Sequence, residues 1–246
     1  MILAGPGSLH LWHLVTRLGE AQILLPTAIL AAGAMLSRSD GRPMAMWWMC
    51  LLGAAVLLTI ASKIAFIGWG IGSAELDFTG ISGHAMFAAA VYPLLLGTLA
   101  SGASHRARCV TMIAGAGLAI LVGVSRIVVG AHSASEVIAG LFVGGTVSAV
   151  ALAFVHLPRA WLGPLIPSVV VCWLAAMPLH ASASQTHAMV TRVSLMLSGR
   201  SAPYTRRDLH REHQRRLIPP YQALARVALA AADATVCVQG IDRSSA

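Results

Sequence analysis

His132 and Glu136 stand four residues apart, a spacing that on a helix puts both side chains on one face within hydrogen-bonding reach. A carboxylate so placed holds a proton on one imidazole nitrogen and leaves the other free as an acceptor or nucleophile. A simple ion pair capping a helix beside Ser133 and Ser135 accounts for the same two residues, so both readings stay open. Arg126 precedes His132 by six residues with Gly130 between them. A helix end and a short turn there could aim the guanidinium at the space before the imidazole; an Arg snorkelling at a helix terminus is the alternative. The stretch Thr79-Gly80-Ile81-Ser82-Gly83-His84 sets small residues ahead of an apolar run. At a helix start these expose free amides and a positive dipole end, which favour an anion, although Ser82 would serve equally as a plain N-cap. Lys63 closes the preceding apolar run, where snorkelling again competes with a role in chemistry. Two cations and a nest of amides suit a phosphate, and two histidines suit the proton-coupled steps of its transfer.

The elements that must carry these residues are set by composition. Of 246 residues, 57% are hydrophobic and 11% charged, against roughly a quarter charged in soluble domains. That excludes a disordered chain, a nucleic-acid-binding arm and most water-soluble folds, and no nucleic-acid partner is expected. Uncharged runs recur as Ala21 to Ser37, Pro43 to Ser62, Ala85 to Ser104, Cys109 to Ser125, Val137 to Val155 and Ala160 to Leu179. Each is near the ~20 apolar residues that cross a hydrocarbon core. They are apolar all round, unlike a surface helix, and lack the alternation of a barrel strand. The expected fold is all-α and polytopic, a bundle of about six transmembrane helices. Gly115, Gly117, Gly140, Gly144 and Gly145 would let its helices approach closely. Pro164, Pro167 and Pro178 predict a kinked or late-starting sixth helix.

Three regions follow: an interfacial segment over 1–19, a transmembrane domain over 20–180 and a basic tail over 181–246, partly disordered. Leu9 to Leu18 mixes His10, Trp12, His13 and Arg17 with leucines, which suits a helix in the membrane interface. It lacks the pattern of a cleaved secretory signal, and no cleavage is expected. The tail holds nine Arg and four acids, +5 of a total net charge of +8, and its Arg206, Arg207, Arg211, Arg215 and Arg216 could meet anionic headgroups. Cys50, Cys109, Cys172 and Cys237 show no metal-like spacing and predict no disulfide framework. With six helices, Lys63 to His84 and Arg126 to Glu136 share one membrane side, while Arg38, Arg42, Arg106, Arg108 and Arg159 lie on the other. Short Arg-bearing loops stay cytoplasmic, so the polar cluster is expected to face outward from a bacterial-type inner or plasma membrane. Between Pro43 and Pro158 the chain has only seven charged residues, and charges near span ends usually face one another or a wet cavity.

In these residues the sequence resembles the type 2 phosphatidic acid phosphatase superfamily, which includes bacterial lipid phosphatases and undecaprenyl diphosphate phosphatases. The family's Ser-Arg, five residues, His, three residues, acid reads here as Ser125-Arg126, His132 and Glu136, with Glu in place of the usual Asp. Its Pro-Ser-Gly-His reads as Ile81-Ser82-Gly83-His84, and its Lys, six residues, Arg-Pro retains Lys63 but has Gly70 and Ile71 at the last two positions. The resemblance implies a phosphatase in which His132 attacks phosphorus to give a phosphohistidine, Glu136 orients its ring, and His84 protonates the leaving group and then activates water. It implies Lys63, Arg126, Ser82 and the Gly83 amide as phosphate ligands, with neither metal nor cofactor. A site at the end of a bundle favours a lipid phosphate as substrate and the bilayer as partner. The competing expectations are a non-catalytic lipid-phosphate or anion binder or transporter using the same basic site, which the absent family Arg keeps open, and a metal-dependent hydrolase, which two cations aimed at the site disfavour.

Overall fold

In a computed structural model, residues 6–37, 39–100, 102–154 and 186–217 are described. They form helices α1 (Pro6–Arg17), α2 (Ala21–Leu36), α3 (Arg42–Trp69), α4 (Gly83–Leu99), α5 (His105–Val128), α6 (Ala134–Phe154), α7 (Thr186–Ser198) and α8 (Arg206–Leu217). The first five apolar runs are thus helices, and the fold is all-α. The sixth run, Ala160 to Leu179, lies outside the described residues, as do Arg159, Cys172, Cys237 and most of the tail. Among the described residues, four stretches are long and apolar enough to cross a membrane: Leu9–Leu36, Arg42–Trp69, His105–Val128 and Ala134–Ala153, with Gly83–Leu99 a shorter apolar helix. The first takes in α1, which covers the expected interfacial segment, and is interrupted by a turn at Leu18 to Glu20. Residues 1–204 and 205–246 are separate compact units, and α8 lies in the second.

Helix α4 is the centre of the first unit. Every residue from Ala85 to Leu95 is buried, while Phe142 of α6, Ile113 of α5 and Leu57 of α3 are 74%, 70% and 69% exposed. Apolar side chains turned outward around an apolar centre need lipid, not water, as their solvent. At 17 residues α4 is about 26 Å long, the low end of a span. Close packing follows from glycine: a Cβ on Gly115 of α5 would lie 2.7 Å from the Tyr92 backbone, and one on Gly144 of α6 2.1 Å from the Met86 carbonyl oxygen. Gly117 and Gly145 have nothing within 4 Å, so the glycine-rich runs divide into contact positions and open ones.

Pro93 interrupts α4 without breaking it. Its missing N–H leaves the Ala89 carbonyl without its helical donor, and Ser148 of α6 supplies one, its hydroxyl donating to that oxygen at 2.6 Å. Trp48 of α3 donates its indole N–H to the Ala90 carbonyl at 2.9 Å. Such cross-helix donors satisfy backbone that lipid cannot, and they lock α3 and α6 onto α4 in register.

Candidate active site

The turn from α5 to α6 makes the first pair. Gly130 takes φ +70°, a left-handed backbone that glycine adopts at no steric cost. The chain then folds back so that the N–H groups of Ala131 and His132 both donate to the Arg126 carbonyl, at 3.0 and 3.2 Å. This is the short turn expected from the Arg126 to His132 spacing. One turn into α6, Glu136 is fully buried, and His132 Nδ1–H donates to its Oε2 at 2.6 Å. The Ser133 N–H donates to the same oxygen at 3.2 Å. The proton on Nδ1 leaves the lone pair on Nε2. Burial pushes the His132 imidazole below its ordinary pKa, with the Glu136 carboxylate pulling the other way.

The other carboxylate oxygen goes to a residue that the sequence offered only as part of the small-residue stretch ahead of α4. Thr79 donates both its N–H, at 2.8 Å, and its hydroxyl to Glu136 Oε1. With every lone pair so engaged the carboxylate cannot rotate, and the imidazole bound to it is fixed in turn. We expect Thr79→Val to lower kcat/KM about 10-fold, the value of one hydrogen bond to a charged group. Thr79→Ser should restore it; steady-state kinetics of phosphate release checks both.

The loop over 70–82 is tied to α3 and α6 at its end. Ile81 N–H donates to Ser62 Oγ at 3.1 Å, and Ser82 N–H to the Glu136 carbonyl at 3.1 Å. Two of the amides ahead of α4 are thereby spent, and Gly83 and His84 open the helix. Ser82 stands at the N-cap of α4 without a side-chain cap hydrogen bond, and its Oγ is buried with no hydrogen-bond partner. Lys63 packs beneath Gly80, whose Cβ would lie 3.2 Å from Lys63 Cγ. His84 lies within the electrostatic reach of Lys63, Arg126 and His132. Arg126 is half-buried, and its Nε has no partner. The fold therefore brings Lys63, Ser82, Gly83, His84, Arg126, His132 and Glu136 to one end of the bundle. Ser125, buried, donates to Val122 within its own helix at 2.6 Å and stays out of the site.

These helices belong to a known group. The sequence matches the family model of the PAP2 superfamily over residues 7–160. The chain belongs to the PAP2 superfamily. A Klebsiella pneumoniae protein, described as an uncharacterized 22.5 kDa protein in cps region, is 36% identical over 210 residues, 82% of this chain and 98% of that one. The crystal structure of a transmembrane PAP2 type phosphatidylglycerolphosphate phosphatase from Bacillus subtilis aligns with a TM-score of 0.50 at 24% identity, covering 62% of this chain and 79% of its own. That likeness shows a shared membrane fold, and with the family match it supports a membrane phosphatase. Where the superfamily pattern would put Arg, this PAP2 protein has Gly70, which closes α3 in a left-handed conformation at φ +72°. The Tyr204 ring covers Gly70, 3.1 Å from where a Cβ would stand, with its N–H donating to the Ile67 carbonyl at 2.9 Å.

Proposed function

We propose that this PAP2 protein hydrolyses a phosphate ester or diphosphate of a membrane lipid through a phosphohistidine, without a metal. The observation that carries the reading is the His132–Glu136 pair, saturated on its acid side and open at Nε2, set among two cations and a second histidine. His132 Nε2 attacks phosphorus and forms the P–N bond as the P–O bond to the lipid breaks. His84 gives its proton to the departing oxygen, then takes one from the water that cleaves the P–N bond and frees inorganic phosphate. Lys63, Arg126, Ser82 Oγ and the Gly83 amide bind the equatorial oxygens, where charge stabilisation supplies most of the acceleration in phosphoryl transfer. Glu136 takes a share of the imidazolium charge as the phosphohistidine forms.

A lipid is favoured over a soluble ester because the site lies at the end of helices whose flanks are apolar and exposed, so a headgroup can enter while its chains stay in lipid. The B. subtilis neighbour acts on a lipid phosphate by its description. The outward orientation rests on Arg42, Arg106 and Arg108 at the starts of α3 and α5, the end opposite the site. The test is phosphate release by the purified protein from phosphatidate, phosphatidylglycerol phosphate and undecaprenyl diphosphate, each with and without excess chelator. Release from at least one, undiminished by chelator, is the expected result. Binding of the lipids without release from any would establish the binder instead, and loss with chelator restored by added metal would overturn the metal-free scheme.

A further inference from the structure

The turn between α1 and α2 contains a buried carboxylate that the mechanism above does not use. It is a run of tight backbone bonds, Leu18 N–H to Val15, Gly19 N–H to Thr16 and Glu20 N–H to Arg17, all at 2.9 to 3.1 Å. Its position is not left to chance. Tyr92, at the middle of α4, donates its hydroxyl to the Leu18 carbonyl at 2.8 Å. Gly19 lies against α4 and α5 so closely that a Cβ would be 2.6 Å from Val122 Cγ1 and 2.9 Å from His84 Cβ. The turn therefore roofs the histidine at the start of α4.

One side chain of this segment meets Arg126. Arg126 Nη1 donates to Thr16 Oγ1 at 3.0 Å, and Thr16 is itself buried. Glu20, 9% exposed, sits 3.9 Å from Arg17 Nε by its Oε1, while its Oε2 is buried with no hydrogen-bond partner. The guanidinium is thus held at one nitrogen, while its buried Nε has no partner. An Arg on a long flexible stem offers a preformed fork to an anion only if something fixes it from behind.

We infer that Thr16 is a positioning residue which holds the Arg126 guanidinium ready for phosphate, so that the N-terminal turn is a wall of the site. This rests on the reading of the site as one that binds and cleaves a phosphate. Thr16 supplies the directional contact, its Oγ1 accepting from Arg126 Nη1. It acts through Arg126 and touches no reacting atom.

The experiment is steady-state kinetics of the purified full chain on whichever lipid phosphate it cleaves, beside thermal unfolding with and without inorganic phosphate. Thr16→Val should raise KM about 10-fold, as expected for losing a hydrogen bond to a charged group, with kcat changed much less. Thr16→Ser, which keeps the hydroxyl, should restore KM. In an Arg126→Ala background Thr16→Val should add nothing, because the two act as one unit. An unchanged KM in Thr16→Val, or a loss that persists without Arg126, overturns the inference while leaving the phosphatase reading intact. If the wild type cleaves no lipid, that reading fails by itself, and stabilisation by inorganic phosphate decides the inference: stabilisation weakened in Thr16→Val upholds it, and an equal or absent effect overturns it.

Discussion

Removing the imidazole in His132→Ala is expected to abolish phosphate release, a loss of at least ~10⁴-fold, and Glu136→Gln is expected to come close to it. The arithmetic follows from how the pair is built. Glu136 accepts from His132 Nδ1, from the Ser133 N–H and from both donors of Thr79. A glutamine in its place must present an NH₂ to some of those donors, and an NH₂ facing Nδ1 turns the imidazole to the other tautomer, with the proton on Nε2. In a serine-protease triad the corresponding loss of the orienting carboxylate costs about 10⁴-fold. Because the two residues act as one unit, the double variant should be no worse than His132→Ala alone. The wild type should also keep its acid limb of kcat/KM below about pH 6.5, the unperturbed histidine value, since burial lowers the His132 pKa. Glu136→Gln should move that limb lower still, because it removes a charge that favours the imidazolium. A Glu136→Gln enzyme with more than a tenth of wild-type kcat would remove the carboxylate from the mechanism.

How far the sequence foretold this site depends on chain separation. The i,i+4 pair and the turn at Gly130 are local, so the spacing of His132, Glu136 and Arg126 carried their geometry, and Nδ1 to Oε2 closes as expected. The run lengths likewise fixed five helices, because lipid demands unbroken apolar backbone whatever its partners are. Thr79 is 57 residues from Glu136 and Thr16 is 110 from Arg126. Threonine has no periodic signature in a sequence this apolar, and neither contact could be read before the helices were packed. Glu20 was invisible for another reason: it stands at the edge of an apolar run, where an exposed end charge is the ordinary expectation. Tyr204, a residue of the basic region whose ring covers Gly70, was likewise too distant in the chain to be read from spacing.

The glycines show the same limit and give the second prediction. By composition Gly144 and Gly145 are equivalent, and in a helix either should gain up to about 1 kcal/mol on becoming Ala. Packing separates them. A Cβ on Gly144 would lie 2.1 Å from the Met86 carbonyl oxygen and 2.9 Å from its carbon, while one on Gly145 meets nothing within 4 Å. Backbone of a central helix cannot swing aside as a side chain would, so α4 and α6 must part. Gly144→Ala should therefore destabilise the protein by about 2 kcal/mol net, as overpacking does, and Gly145→Ala and Gly117→Ala should be neutral or slightly stabilising. Thermal unfolding of the three variants in one detergent measures this. Gly140→Ala adds a functional consequence: its Cβ would lie 2.5 Å from the Ser82 carbonyl oxygen, one turn beyond Glu136, whose own carbonyl accepts the Ser82 N–H. Separation there pulls the start of α4, with Ser82 and His84, away from the His132–Glu136 pair. Gly140→Ala should thus lose more activity for a given loss of stability than Gly144→Ala. Equal stability of Gly144→Ala and Gly145→Ala would mean that α4 and α6 do not meet as described, and the site built across them would fall with that contact.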